Sequence, residues 1–158
     1  MIILIVFLTR LSLVLLFFPF SALDKILNFG EAVSQASQAA VAPWFAKLLI
    51  LAGLAVEVCM SIAILAGIAD RLAAVVLAGY CVVTAFLWKQ FWRTPDFRLK
   101  GASQGRGLFW DFLKNLAVAG GFLVLAVGAD GSGLGQLMNH PFSSTHPYRV
   151  PAPAATRP

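Results

Sequence analysis

The sequence predicts an all-α integral membrane four-helix bundle, and three observations carry that prediction. Of the 158 residues, 59% are hydrophobic and only 12% are charged, against roughly 45–50% and about 25% in soluble domains. The apolar residues gather in four runs, each near the roughly 20 residues a helix needs to cross hydrocarbon. The runs are apolar on every side, whereas a barrel strand alternates in and out over about ten residues. The net charge of +5 does not argue for nucleic acid, because a membrane protein carries basic loops in any case. Two isolated cysteines, Cys59 and Cys81, exclude a disulfide-rich scaffold and any CxxC redox or zinc motif.

The first span runs from Met1 to about Leu23. It has no basic n-region and carries Arg10 mid-segment, so it reads as a retained helix rather than a cleaved signal. Pro19 removes a backbone donor and should bend the last turns. Asp24–Ala42 is a loop in which the stretch from Glu31 can form a short interfacial helix. Pro43 and Trp44 open the second span, which ends at Ala69; Pro suits a first helical turn and Trp the headgroup zone. Only Asp70-Arg71 separates it from the third span, Leu72–Trp88, so these two should form a tight antiparallel hairpin. A polar loop follows, and the fourth span covers Phe109–Ala129, with Gly131-Ser-Gly-Leu-Gly as its exit. Residues 1–130 thus form a transmembrane domain, and residues 131–158 a polar, Pro-rich tail that is expected to be disordered.

Small residues recur every four positions on the second span (Ala55, Cys59, Ala63, Gly67) and along the third (Ala74, Ala78, Cys81, Ala85). Such stripes let helices approach closely. Both cysteines lie about 16 Å from the hairpin turn, which permits a thiol pair, but packing is the stronger reading because free Cys behaves as a small hydrophobe. No metal site is expected; His140 and His146 have no accompanying ligands.

Ionisable residues inside the spans carry the functional signal, since each costs about 2.5–3.5 kcal/mol near the bilayer centre and needs a partner or a wet pocket. Depth arithmetic places Arg10 about 14 Å and Glu57 about 20 Å from the N-terminal side, within reach of each other, while Lys114 enters about 8 Å from the opposite side. Lys114 either reaches toward Glu57 or snorkels outward. The candidate polar pocket is therefore Arg10, Lys25, Glu57, Lys114 and Asn115. An ion-pair network that only orients the helices is the competing interpretation. Trp88, Phe91, Trp92, Phe109 and Trp110 form an interfacial aromatic belt or line an entry to the pocket. Lys25, Lys47, Lys89, Arg93, Arg98, Lys100 and Arg106 fall on one side, against Arg71, Arg149 and Arg157 on the other, so loops one and three should face the cytoplasm.

Several of these stretches resemble the DoxX family of small four-helix membrane proteins. They are Arg10-Leu11, Leu23-Asp24-Lys25, Leu51-Ala-Gly-Leu-Ala-Val-Glu57, Gly67, Asp70-Arg71-Leu72-Ala73, Phe91-Trp92 and, most specifically, Phe112-Leu-Lys-Asn-Leu-Ala-Val-Ala-Gly-Gly121. The chain departs from the family pattern at Lys89 and Asp111, where relatives often carry His or Gln. The resemblance implies a redox-associated subunit of a bacterial inner membrane that has no covalently bound cofactor and supports quinone-linked electron transfer by a partner oxidoreductase. Arg10 and Lys114 would then donate hydrogen bonds to a quinone carbonyl while Glu57 moves a proton. The alternative is a non-catalytic anchor or assembly factor whose basic loop, Lys89–Arg106, docks an acidic partner or anionic lipid.

Overall fold

The computed structural model describes residues 1–37, 42–128, 133–143 and 147–148. These form α1 (Ile2–Val14), α2 (Ala22–Leu27), α3 (Phe29–Ser37), α4 (Pro43–Ala66), α5 (Asp70–Trp88), α6 (Gln104–Val127) and α7 (Gly133–Asn139), with no strand among the described residues. Four helical stretches are long and apolar enough to cross a membrane: Ile2–Leu27, Pro43–Ala66, Asp70–Arg93 and Gln104–Val127. The chain is a multi-pass membrane protein of the all-α class.

Each break in the helices has a local cause. Phe18, preceding Pro19, is extended (φ −127°, ψ 118°), the conformation the proline ring imposes on its predecessor. This non-helical residue therefore kinks the first span within Leu16–Ser21 and redirects α2. Amphipathic α3 then packs on α4. Pro43 opens α4 in its first turn, and Gly67 closes it in the left-handed region (φ +69°). There Ile68 N–H reaches Ala63 O at 3.0 Å, the bond of a Schellman stop. A side chain at Gly67 would also meet Pro147, its Cβ 2.7 Å from Pro147 Cγ. At the other end of the bundle Asp96 accepts from Gln104 N at 2.8 Å and Gly105 N at 3.1 Å, and Ser103 Oγ accepts from Arg106 N at 3.1 Å. Together they satisfy the first free amides of α6.

α5 is the central helix, with α6 on one side and α4 on the other. Its buried residues include Ala73, Ala74, Ala78, Cys81 and Ala85, the small face the sequence predicted. Leu77, Val14, Phe17, Ile64 and Phe122 fill the space between helices. On α4 the small stripe lies elsewhere than expected. Ala55 and Cys59 face outward, and the buried face is Gly53, Glu57, Ser61 and Ile64. The reason is energetic: a helix with one acid and one serine turns those groups inward, and lipid accepts Ala and Cys at little cost. Cys59 is exposed, Cys81 is buried, and both are free thiols, so no disulfide joins the two spans there.

The hairpin end of the bundle is held by Arg10. Its Nη1 donates to Ile64 O at 2.7 Å and its Nη2 to Asp70 Oδ2 at 2.5 Å. Arg10 is 4% exposed and Asp70 1%. One guanidinium thus joins the carbonyl-rich end of α4 to the acid in the first turn of α5, and each charge suits the helix dipole beside it. The segment after α6, expected to be unfolded, departs from that expectation in part: α7 packs on α6, and Leu72 N–H donates to Phe142 O at 3.4 Å. Tyr148 donates to Leu65 O, and its ring lies under Arg10 at 5.7 Å. Asp130, the Gly131-Ser132 part of the exit, His146, Arg149 and Arg157, with the rest of the Pro-rich tail, lie outside the described residues.

Removing one side of a buried charge pair costs about 3–5 kcal/mol. Arg10→Ala is expected to lower the thermal midpoint of purified protein by the equivalent of about 3 kcal/mol. Arg10→Lys recovers only part, because a point charge cannot serve Ile64 O and Asp70 as the fork does. An unchanged midpoint in both variants would refute the staple.

Candidate functional site

The kink at Phe18 decides where Lys25 goes. α2 leaves the axis of α1 and packs against α4, and Lys25 Nζ reaches into the bundle to Glu57 Oε1. The same oxygen accepts from Tyr80 Oη at 2.8 Å. Lys25 also donates to Ser21 Oγ at 2.9 Å and, more weakly, to Tyr80 Oη at 3.4 Å. All three ammonium hydrogens therefore have an acceptor. Gly53 lies one turn from Glu57 on the same face of α4, and a Cβ there would sit 3.1 Å from Tyr80 Oη. The missing side chain is what lets the phenol approach.

Glu57 is 1% exposed and lies about 20 Å along α4 from Pro43 and about 13 Å from Ala66. A carboxylate at that depth is stable only with cationic and hydrogen-bonding company, which Lys25 and Tyr80 supply. Its second oxygen, Oε2, has no protein partner among the described residues.

Beside this triad lies a chamber of about 370 Å³, within the range of small-molecule sites. Leu16, Phe17, Leu49, Ile50, Leu87 and Trp88 give it apolar walls, while Lys25, Glu57, Tyr80, Thr84 and Asn115 gather as polar groups. Asn115 Nδ2 points at Thr84 Oγ1, 3.4 Å away, and Lys89, also lining the chamber, pairs with Asp111 at 3.5 Å. Gln35 and Ala36 of α3 contribute to the wall.

Of the predicted pocket the structure brings together Lys25, Glu57 and Asn115, and places Arg10 and Lys114 elsewhere. Arg10 joins Asp70 because α1 is shifted along its axis. The Arg10 guanidinium meets Ile64 O and Asp70 at the hairpin, so Arg10 is level with Asp70 rather than far below it. Lys114 points outward, 73% exposed, to Asp111 on its own helix at 3.4 Å, the snorkelling alternative. Tyr80, Thr84 and Ser21 were not anticipated. Tyr80 was legible in principle: a phenol inside an apolar span needs a partner for its hydroxyl.

The interfacial aromatics are present, but as a packed cluster. Phe91 sits edge-on to Trp92, Phe109 and Phe112 at 5.0–5.6 Å between ring centres. Trp92 and Trp110 are 48% exposed, whereas Trp88 faces the chamber.

A four-span helical membrane protein with a desolvated Lys–Glu–Tyr triad beside an apolar-walled chamber is thus the class that fold and site define. The chain belongs to the DoxX family, whose model matches residues 5–90. That match takes in Lys25, Glu57 and Tyr80 and ends before the Phe112–Gly121 stretch on which the resemblance leaned most. No curated protein and no solved structure matches the chain.

Replacing a buried ion pair by apolar residues is often neutral, whereas removing one partner is not. Glu57→Met alone and Lys25→Met alone are each expected to lower the thermal midpoint, and the double variant should melt above either. Additive losses would show that the two groups do not interact.

Proposed function

We propose that the protein is a subunit of a redox system in a bacterial inner membrane, and that its chamber holds the head group of a quinone reduced or oxidised by a partner oxidoreductase. The observation that carries this reading is a cluster of donors at the edge of an apolar cavity in mid-membrane. A quinone is a planar ring with two carbonyl acceptors and an apolar tail, and it carries two electrons and two protons between membrane enzymes. Asn115 Nδ2, and Lys25 on giving up its weak 3.4 Å contact to Tyr80 Oη, are donors for those carbonyls. Leu16, Leu49, Ile50 and Leu87 suit a tail. Glu57 pairs with Lys25 through Oε1 and can take or give a proton at Oε2, the oxygen without a protein partner among the described residues, close to where charge on the ligand changes. The partner supplies or takes the electrons. Arg10 and Lys114, assigned carbonyl contacts from the sequence, lie away from the chamber and take no part.

Orientation follows from the basic residues. With Lys25 committed to Glu57, Lys47, Lys89, Arg93, Arg98, Lys100 and Arg106 still mark the end carrying loops one and three, which we place in the cytoplasm. A second reading, an anchor or assembly factor, draws on the same loop. Arg98 donates to Ala102 O at 3.2 Å and Arg106 to Gly101 O at 3.0 Å, stiffening a cationic surface suited to an acidic partner.

Trp88 in the chamber wall offers a direct test. A short-tail quinone analogue should quench the tryptophan fluorescence of purified protein saturably. Glu57→Gln and Asn115→Leu should each weaken that binding at least about tenfold, or about 1.4 kcal/mol, while the helical fold persists. Quenching that does not saturate, or that both variants leave unchanged, would overturn the quinone reading. Charge reversal at Lys100 and Arg106 should leave it intact.

A further inference from the structure

Three buried polar atoms have no protein partner among the described residues: Glu57 Oε2, Ser61 Oγ and Arg10 Nε. They are not scattered. Ser61 follows Glu57 by one turn on the buried face of α4, and Ile64, whose carbonyl Arg10 holds, follows Ser61 by another. Glu57, Ser61 and Ile64 thus follow one face of α4 in steps of about 5–6 Å, from the mid-membrane carboxylate to the hairpin end where Arg10 is bound. Glu57, Ser61 and Arg10 are 1%, 0% and 4% exposed.

Ser61 is unusual among the hydroxyls of the spans. Thr9, Ser12 and Thr84 all turn back and donate to a carbonyl of their own helix at 2.8–2.9 Å, the usual recourse of a hydroxyl in lipid. Ser61 does not. A buried hydroxyl that forgoes this bond, one turn from an unsatisfied carboxylate oxygen on the same helix face, is set to hold water, which bridges polar atoms one helical turn apart.

We infer that Ser61 holds water linking Glu57 to the Arg10–Asp70 pair, and that this water is the route by which Glu57 exchanges protons with the hairpin side of the membrane. On the other side the chamber adjoins a polar recess lined by Asp24, Asn28, Glu31 and Gln35, with Lys25 and Gln35 common to both. While the chamber holds no ligand, water from the loop end reaches Glu57. A proton then binds the Glu57 carboxylate and leaves along the Ser61 water. Nothing is oxidised or reduced, and each group returns to its starting charge. Lys25 keeps Ser21 and Tyr80 as acceptors while Glu57 is protonated. Asp70 neutralises Arg10, so the pair opposes a passing proton far less than a lone cation would. The path rests on Glu57 as a proton carrier, and a ligand seated in the chamber closes it from the loop end.

The test uses full-length protein in liposomes loaded with a pH-sensitive dye, with proton flux driven by a potassium diffusion potential. Wild-type protein should conduct protons above the protein-free rate. Ser61→Ala and Glu57→Gln should each reduce that excess at least tenfold, Ser61→Thr should restore most of it, and the two Ser61 variants should melt as wild type does. Flux no greater than in empty liposomes, or unchanged by Ser61→Ala, overturns the path. The short-tail quinone analogue separates the two readings: flux that depends on Ser61 yet ignores the analogue retains the path and counts against the quinone. Saturable quenching by the analogue without Ser61-dependent flux does the reverse.

Discussion

Hydrocarbon offers no hydrogen bonds, and that constraint decides how this bundle is assembled. A charged or polar side chain within a span must be met by protein or by enclosed water. Arg10 shows the consequence most clearly. It is held from three sides, by the carbonyl of Ile64, the carboxylate of Asp70 and the ring of Tyr148. Those contacts bind α1 to the α4–α5 hairpin and bring residues 147–148 over it. The relation of α1 to the rest of the bundle is thus set by one guanidinium, and the distance from Arg10 to Lys25 along the chain then fixes how deep the second ion pair lies.

The same constraint explains why the site forms where it does. Lys25 would be expected at a membrane edge, but the extended Phe18 and the kink beside Pro19 let α2 lie against α4. The ammonium meets Glu57 instead of headgroups. Gly53 opens the space for Tyr80, and small residues on α5 bring that helix close enough for the phenol to bridge. A side chain lost, a proline and a charge at the right spacing together produce a polar cluster with an apolar chamber beside it. Membership in the DoxX family places this arrangement among small membrane proteins, and the chemistry assigned to it here comes from the cluster itself.

Much of the fold was legible because the bilayer makes sequence patterns coarse and strong. Four apolar runs and the bend at Pro19 reappear in the structure, and so does a tight break between the second and third spans, though it falls at residues 67–69 and leaves Asp70 and Arg71 in the first turn of α5. That Arg10 and Glu57 would be buried was legible for the same reason. Their partners were not, because depth along one helix says nothing about how far that helix is shifted against its neighbours. Counted from Met1, Arg10 would lie well below the hairpin, yet it is the residue that meets Asp70 there. The lipid-facing stripe of Ala55 and Cys59 was misread as an interface because periodicity alone cannot tell which face a small residue lies on. Tyr80 was passed over because a phenol counts as apolar in a hydropathy pattern although its hydroxyl is not.

The central claim is that opposite charges within the spans meet across helices in mid-membrane. Solid-state NMR of bilayer-embedded protein, with ¹⁵N in the Lys25 ammonium and ¹³C in the Glu57 carboxyl, measures this directly through their dipolar coupling. The account predicts the strong coupling of a direct ion pair, with nitrogen and oxygen about 2.7–2.9 Å apart. A coupling too weak to detect would contradict it, since each group would then have found its partner elsewhere or moved to the membrane surface.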